Sequence, residues 1–203
     1  MNSPDRFSRA KSIFGQHGGM LSTVAAMKHG VHPATLYQMR ERGDLKLIAR
    51  GLYRLASLPD FSQPDLVTVA LRARKGVICL ISALAFHELT TQIPHEVHLA
   101  LPACAKPPIL RHPPMRIFYY SPAHFEAGVQ VHEIDGVKVR IYDPERTLAD
   151  CFKFQNKIGH DVAIEALKRY CRRKNSDMDA LLKFARICRV ARVMQPYLEA
   201  VMA

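Results

Sequence analysis

Residues 22–55 read STVAAMKHGVHPATLYQMRERGDLKLIARGLYRL, and this stretch decides the fold. Ser22 or Thr23 caps a short helix, with Val24, Ala25 and Met27 expected to face inward. His29-Gly30-Val31 is a tight turn, because Gly accepts a positive φ. Pro33 suits the first position of the next helix, whose N–H would be unpaired in any case. That helix is expected to reach about residue 42 and to end at Gly43. Leu36 and Met39 point inward; Ala34, Thr35, Tyr37, Gln38, Glu41 and Arg42 are expected outward. Residues 45–48 and 52–55 are two short strands joined by Ala49-Arg50-Gly51, a turn with a cationic tip. Helix, turn, helix and hairpin outline a winged helix-turn-helix, a module that lays one helix in the DNA major groove.

Working outward, residues 6–17 place Phe7, Ala10, Ile13 and Phe14 at helical spacing, and Gly18-Gly19 stop that helix. On the other side, residues 57–65 (SLPDFSQPD) have the composition of a linker. The chain therefore divides into a winged helix-turn-helix domain, 1–58, and a second domain, 59–203. In the second domain a helix opens at Pro64, and residues 77–80 are a short buried strand or an approach to the next helix, expected at 82–89. Strands are expected at 95–101, 115–120, 129–134 and 137–142. Asp135-Gly136 joins the last two, a strong two-residue hairpin signal. Residues 102–114, with five prolines, are a surface loop. Asp143 caps a helix that starts at Pro144 and carries Leu148, Phe152 and Gln155 on one face. Further helices are expected at about 161–173, 177–187 and 190–202. The fold class is α+β: an N-terminal winged helix-turn-helix, then a domain with a small mainly antiparallel sheet and a helical end.

The net charge is +11, and its distribution is uneven. Residues 1–58 carry nine Lys/Arg against three Asp/Glu, a balance of +6; residues 59–143 carry eight of each; residues 144–203 carry twelve against seven, a balance of +5. Two basic ends around a neutral middle fit contact with a polyanion, of which nucleic acid is the usual one. No apolar run is long enough for a bilayer and the start has no signal-peptide core, so no membrane attachment is expected. The five cysteines are scattered, without a paired zinc spacing, which points to reduced thiols in the cytoplasm.

The candidate DNA-contacting residues are Thr23, Pro33, Ala34, Thr35, Tyr37, Gln38, Arg40, Arg42, Lys46, Arg50 and Arg54. Gln can pair bidentately with adenine and Thr can touch a thymine methyl, while Arg and Lys neutralise phosphates. A second basic group comprises Lys168, Arg169, Arg172, Arg173, Lys174, Lys183, Arg186, Arg189 and Arg192. Arg186, Arg189 and Arg192 recur every three residues and are expected to form one drifting cationic face. That group is either a solvated surface or a site for phosphate or an acidic partner.

Little points to an enzyme. His95 and His98 lie an odd number apart on an expected strand and face opposite ways, which argues against a metal site. Asp143 and Glu145 have roles as helix-start residues. No glycine-rich phosphate loop is present. No catalytic residue, metal or cofactor is expected.

Taken with RERGDLKLIARGLYRL (residues 40–55), the segments ISALAFHELTTQIPHEVHLALP (81–102) and VKVRIYDPERTLADCFKF (137–154) give the chain a family likeness. It resembles the AbiEi antitoxins of type IV toxin–antitoxin systems and the transcriptional regulators related to them. The most specific segment is YDPERTLADCF (142–152). The resemblance implies a winged helix that binds inverted repeats in its own promoter and represses the operon. It implies a C-terminal domain that counteracts a cognate nucleotidyltransferase-like toxin, directly or indirectly. It assigns base and phosphate contacts to residues 33–42 and the Arg50 tip. Residues 144–148 are then a capped helix start packed on the sheet, with Arg146 either bridging to that sheet or reaching outward. The alternative is a solitary winged-helix regulator whose second domain binds a protein or modifies nucleic acid.

Overall fold

The computed structural model of the chain describes residues 3–202, with side chains described for residues 6–201. Contacts group the chain into two compact units. One runs to Arg72 and includes Ile134–Val137; the other comprises Ala73–Glu133 and the chain from Lys138 onward.

The first unit opens with α1, Ser3–Gln16, which buries Phe7, Ala10 and Phe14. This is the i, i+3, i+7 stripe of an amphipathic helix. β1 (Met20–Ser22), α2 (Thr23–Lys28), α3 (Pro33–Glu41), β2 (Leu45–Ala49) and β3 (Leu52–Leu55) follow. The three strands form an antiparallel sheet in the order β1-β3-β2. α4 (Pro64–Arg72) closes the unit. Its core gathers Phe14, Leu21, Leu36, Met39, Leu45 and Tyr53. Ser22 caps α2 by accepting from the Ala25 N–H at 3.1 Å. α2 ends in a paired closure: Val31 N–H donates to Ala26 O and Gly30 N–H to Met27 O, both at 2.9 Å. Gly30 sits at φ 82°, a left-handed conformation that makes this closure cheap only for glycine. Four residues, 29–32, separate the two helices.

The inward face of α2 differs from expectation. Ala26 is the buried residue, while Val24 and Met27 are 65% and 52% exposed. A six-residue helix fixes one narrow face, and the smallest side chain takes the closest approach.

The second unit holds a five-stranded sheet in the order β6-β5-β4-β8-β7. Its strands are β4 (Val77–Ile78), β5 (Val97–Pro102), β6 (Met115–Tyr120), β7 (Val129–Ile134) and β8 (Val137–Tyr142). Helices α5 (Leu80–Phe86) and α6 (Pro122–Phe125) lie between strands, and α7 (Pro144–Lys153), α8 (Gln155–Ile158), α9 (His160–Cys171), α10 (Met178–Ile187) and α11 (Ala191–Met202) follow them. The sheet is mixed, not mainly antiparallel. β4 runs parallel to β8 and β5 parallel to β6, whereas β4 and β5 are antiparallel. The proline-rich segment between β5 and β6 is long enough to act as a crossover, which a parallel pair requires. Residues 97–101 are all buried, so β5 does not show the half-exposed alternation read from its sequence. The expected 82–89 helix forms earlier, as α5. Gln155 opens α8 and does not extend the face of α7.

α7 is the centre of this unit, with residues 146–152 buried without a break. Asp143 caps it, accepting from the Arg146 N–H at 2.6 Å. The Arg146 side chain turns inward. Its Nε donates to Asp150 Oδ2 at 3.0 Å, and both side chains are fully buried. Tyr120 Oη donates to the same oxygen at 3.1 Å and Cys188 Sγ to Oδ1 at 3.3 Å. The guanidinium carbon lies 5.0 Å from the Tyr142 ring centroid. Residues 142–152 therefore form a buried ion pair on a capped helix, joined to the sheet and to the end of α10. Among the described residues no helix is long and apolar enough to cross a membrane.

Candidate nucleic-acid interface

With 3.6 residues per turn, Ala34, Tyr37, Gln38 and Glu41 fall on one side of α3. All four are exposed, and Arg40 and Arg42 flank them, also exposed. Thr35, Leu36 and Met39 make up the buried side. Thr35 was expected outward; it is one turn before Met39 and shares that residue's face, so it is only 8% exposed. Pro33 occupies the first turn, half-buried. Its neighbour His32 caps the helix, with Nδ1 accepting from the Ala34 N–H at 3.2 Å.

α1 contributes a residue that no local pattern reveals. Arg6 Nη2 donates to Gln38 Oε1 at 2.7 Å. The Arg6 and Arg42 guanidinium carbons lie 4.8 and 4.3 Å from the Phe7 ring centroid. Arg42 and Lys11 both approach Asp44, at 3.4 and 2.8 Å. Nothing within a few residues of Gln38 signals Arg6, because the two are 32 positions apart.

The hairpin β2–β3 carries Arg50 at its exposed tip. Thr23 has a positioning role. Its N–H and hydroxyl both donate to Gly51 O, at 2.8 and 3.3 Å, and tie the tip to the start of α2. Lys46 and Arg54 are direct cross-strand partners and so share a face. Residues 60 and 61 lie over that face. Lys46 donates to Asp60 Oδ1 at 3.0 Å, and this hydrogen bond, with the ammonium charge, holds the Asp60 carboxyl below the usual range. Arg54 is only 5% exposed, its guanidinium 4.3 Å from the Phe61 ring centroid. Of the expected contact residues, Ala34, Tyr37, Gln38, Arg40, Arg42, Lys46 and Arg50 are exposed, Lys46 also pairing with Asp60. Thr23 is tied to the hairpin tip, Pro33 is half-buried, and Thr35 and Arg54 are buried.

In the second unit Lys168, Arg172, Lys174, Lys183, Arg186, Arg189 and Arg192 are exposed. Arg169 pairs with Glu165 at 2.8 Å, and Arg173 donates to the His87 carbonyl. Arg186, Arg189 and Arg192 do not form one helical face. α10 stops at Ile187, Arg189 turns left-handed at φ 61°, and Val190 N–H donates back to Ala185 O at 2.8 Å. This is a helix-ending motif with Arg where glycine is usual. Among the described residues no group of three or more His, Cys, Asp or Glu could hold a metal ion.

The first unit thus sets a short helix, a tight turn and a second helix with a polar outer stripe beside a hairpin with an arginine tip. Residues 8–56 match the family model described as "Transcriptional regulator, AbiEi antitoxin". The segment 142–152 lies outside the matched residues. No curated protein sequence matches the chain. The crystal structure of the RV2827C protein from Mycobacterium tuberculosis is similar in fold. Its TM-score is 0.60 at 14% identity, over 98% of this chain and 82% of that one.

Proposed function

We propose that this protein is a sequence-specific DNA-binding repressor of the winged helix-turn-helix type and the antitoxin of a type IV toxin–antitoxin system. α3 is its recognition helix and the β2–β3 hairpin its wing. It represses its own operon through inverted repeats, while the second unit counteracts a nucleotidyltransferase-like toxin. One observation carries the reading: the stripe Ala34, Tyr37, Gln38 and Glu41, left exposed within the residues that match the AbiEi regulator family. The +6 balance of residues 1–58 supports it, since cationic surface supplies the salt-dependent part of DNA affinity.

The test is a titration of the full chain against duplex from its own upstream region at several salt concentrations. Affinity falls as salt rises, and Arg50→Ala lowers the log–log slope by about one. Gln38→Ala with Arg50→Ala weakens binding strongly; unchanged affinity in that double variant refutes the assigned interface. The antitoxin role is tested by co-expression with the product of the adjacent reading frame, where rescue of growth is expected. The family match ends at residue 56, and this favours a second reading, a solitary regulator, if no toxic neighbour exists.

A further inference from the structure

We propose that Arg6 and Gln38 read DNA as one unit and that the pair selects guanine. The inference rests on α3 being the recognition helix. A guanidinium has only N–H donors, so the amide atom that Arg6 touches must be the Gln38 carbonyl oxygen, as the 2.7 Å contact with Oε1 records. An unengaged glutamine offers one acceptor and one donor, which matches the N6–H and N7 edge of adenine. Arg6 takes one of the carbonyl's two lone pairs and holds that oxygen toward the guanidinium, which leaves the N–H2 group as the part of Gln38 turned away from Arg6. The remaining Arg6 N–H groups lie beside it, so the pair is a cluster of donors. Guanine presents two major-groove acceptors, O6 and N7, whereas adenine presents a donor at N6 that would face donors. Arg6 is held for this role by its own helix. It immediately precedes Phe7, which is buried in the first unit's core, and its guanidinium lies 4.8 Å from that ring centroid. The cation that orients Gln38 therefore comes from α1, outside the helix-turn-helix.

The experiment is selection by the full chain from a pool of duplexes with a randomised central segment, with the enriched sequences read out. The wild-type chain enriches sites with G at one position, preferred over A by about tenfold. Arg6→Ala frees the Gln38 carbonyl and moves that position toward A. Gln38→Ala removes the preference there in either background. If Arg6→Ala binds too weakly to select, its selection is repeated at lower salt, where phosphate contacts hold the complex more tightly. An unchanged G preference in the Arg6 variant overturns the pairing and leaves the recognition helix standing, as does an A preference in the wild type. Failure of the wild type to enrich any sequence refutes the recognition-helix reading itself.

Discussion

Replacing Asp150 by asparagine isolates a buried cation. Arg146 and Asp150 are both fully buried, with Nε to Oδ2 at 3.0 Å. Asparagine keeps the side chain's shape and an oxygen to accept from Tyr120, but it removes the charge that offsets the guanidinium. Taking one partner from such a pair costs roughly 3–5 kcal/mol, because the other charge stays in a low-dielectric site. For a chain of this size each kcal/mol moves the melting temperature by about 2–4 °C, so the transition of the second unit should fall by about 6–20 °C. The chain has no tryptophan, so the assay is calorimetry together with near-ultraviolet circular dichroism of the tyrosines, two of which, Tyr120 and Tyr142, flank the pair. The companion variant Arg146→Met/Asp150→Leu removes both charges and should cost less than Asp150→Asn alone. A loss below about 1 kcal/mol in Asp150→Asn, or a double variant as unstable as the two single changes summed, would refute the reasoning.

Three further outcomes are expected. Gly128→Ala would place a Cβ 2.7 Å from Arg146 Cβ and 2.8 Å from Asp143 Oδ2 at φ 79°; the clash and the left-handed backbone should cost more than about 2 kcal/mol in urea unfolding. Burial pushes the Asp143 carboxyl up to about 6 from an ordinary 3.8. Its folded pKa is the higher one, so its contribution is full below about pH 3.8 and lost as pH rises through about 6. Asp143→Asn keeps a capping side chain. Between about pH 4 and pH 7 the wild type should therefore lose about 1–2 kcal/mol relative to that variant, and parallel urea-derived stability profiles would contradict this. Arg54→Ala should lower stability by about 1 kcal/mol, through lost packing on Phe61, while leaving the salt slope of DNA binding unchanged. A reduced slope there would mean that Arg54 reaches phosphate.

Elements with strong local chemistry were legible from the residues. Gly30 and Pro33 mark the end of one helix and the start of the next. Asp135-Gly136 marks a hairpin, with φ 49° and 80° at its two centres. Asp143-Pro144 marks a capped helix. Leu36 and Met39 give the inward side of α3. Two errors at the site come from treating side chains singly. Thr35 is polar but shares the face of Met39. Arg54 is cationic but lies against the Phe61 ring and is buried. The pairing direction of β5 with β6 was likewise hidden, since period-two alternation is the same for parallel and antiparallel neighbours.

The sequence alone determined where the helices and turns lie, and which helix carries a polar stripe beside a basic hairpin. These depend on backbone preferences and on periodicity within a few residues. Tertiary structure decided which charged groups remain free. Arg6 reaches Gln38 across 32 positions, Asp60 and Phe61 engage Lys46 and Arg54, and Arg146 turns inward to Asp150. Each outcome depends on whether a distant segment brings a partner within about 3–4 Å, a short-range condition that only the folded chain meets.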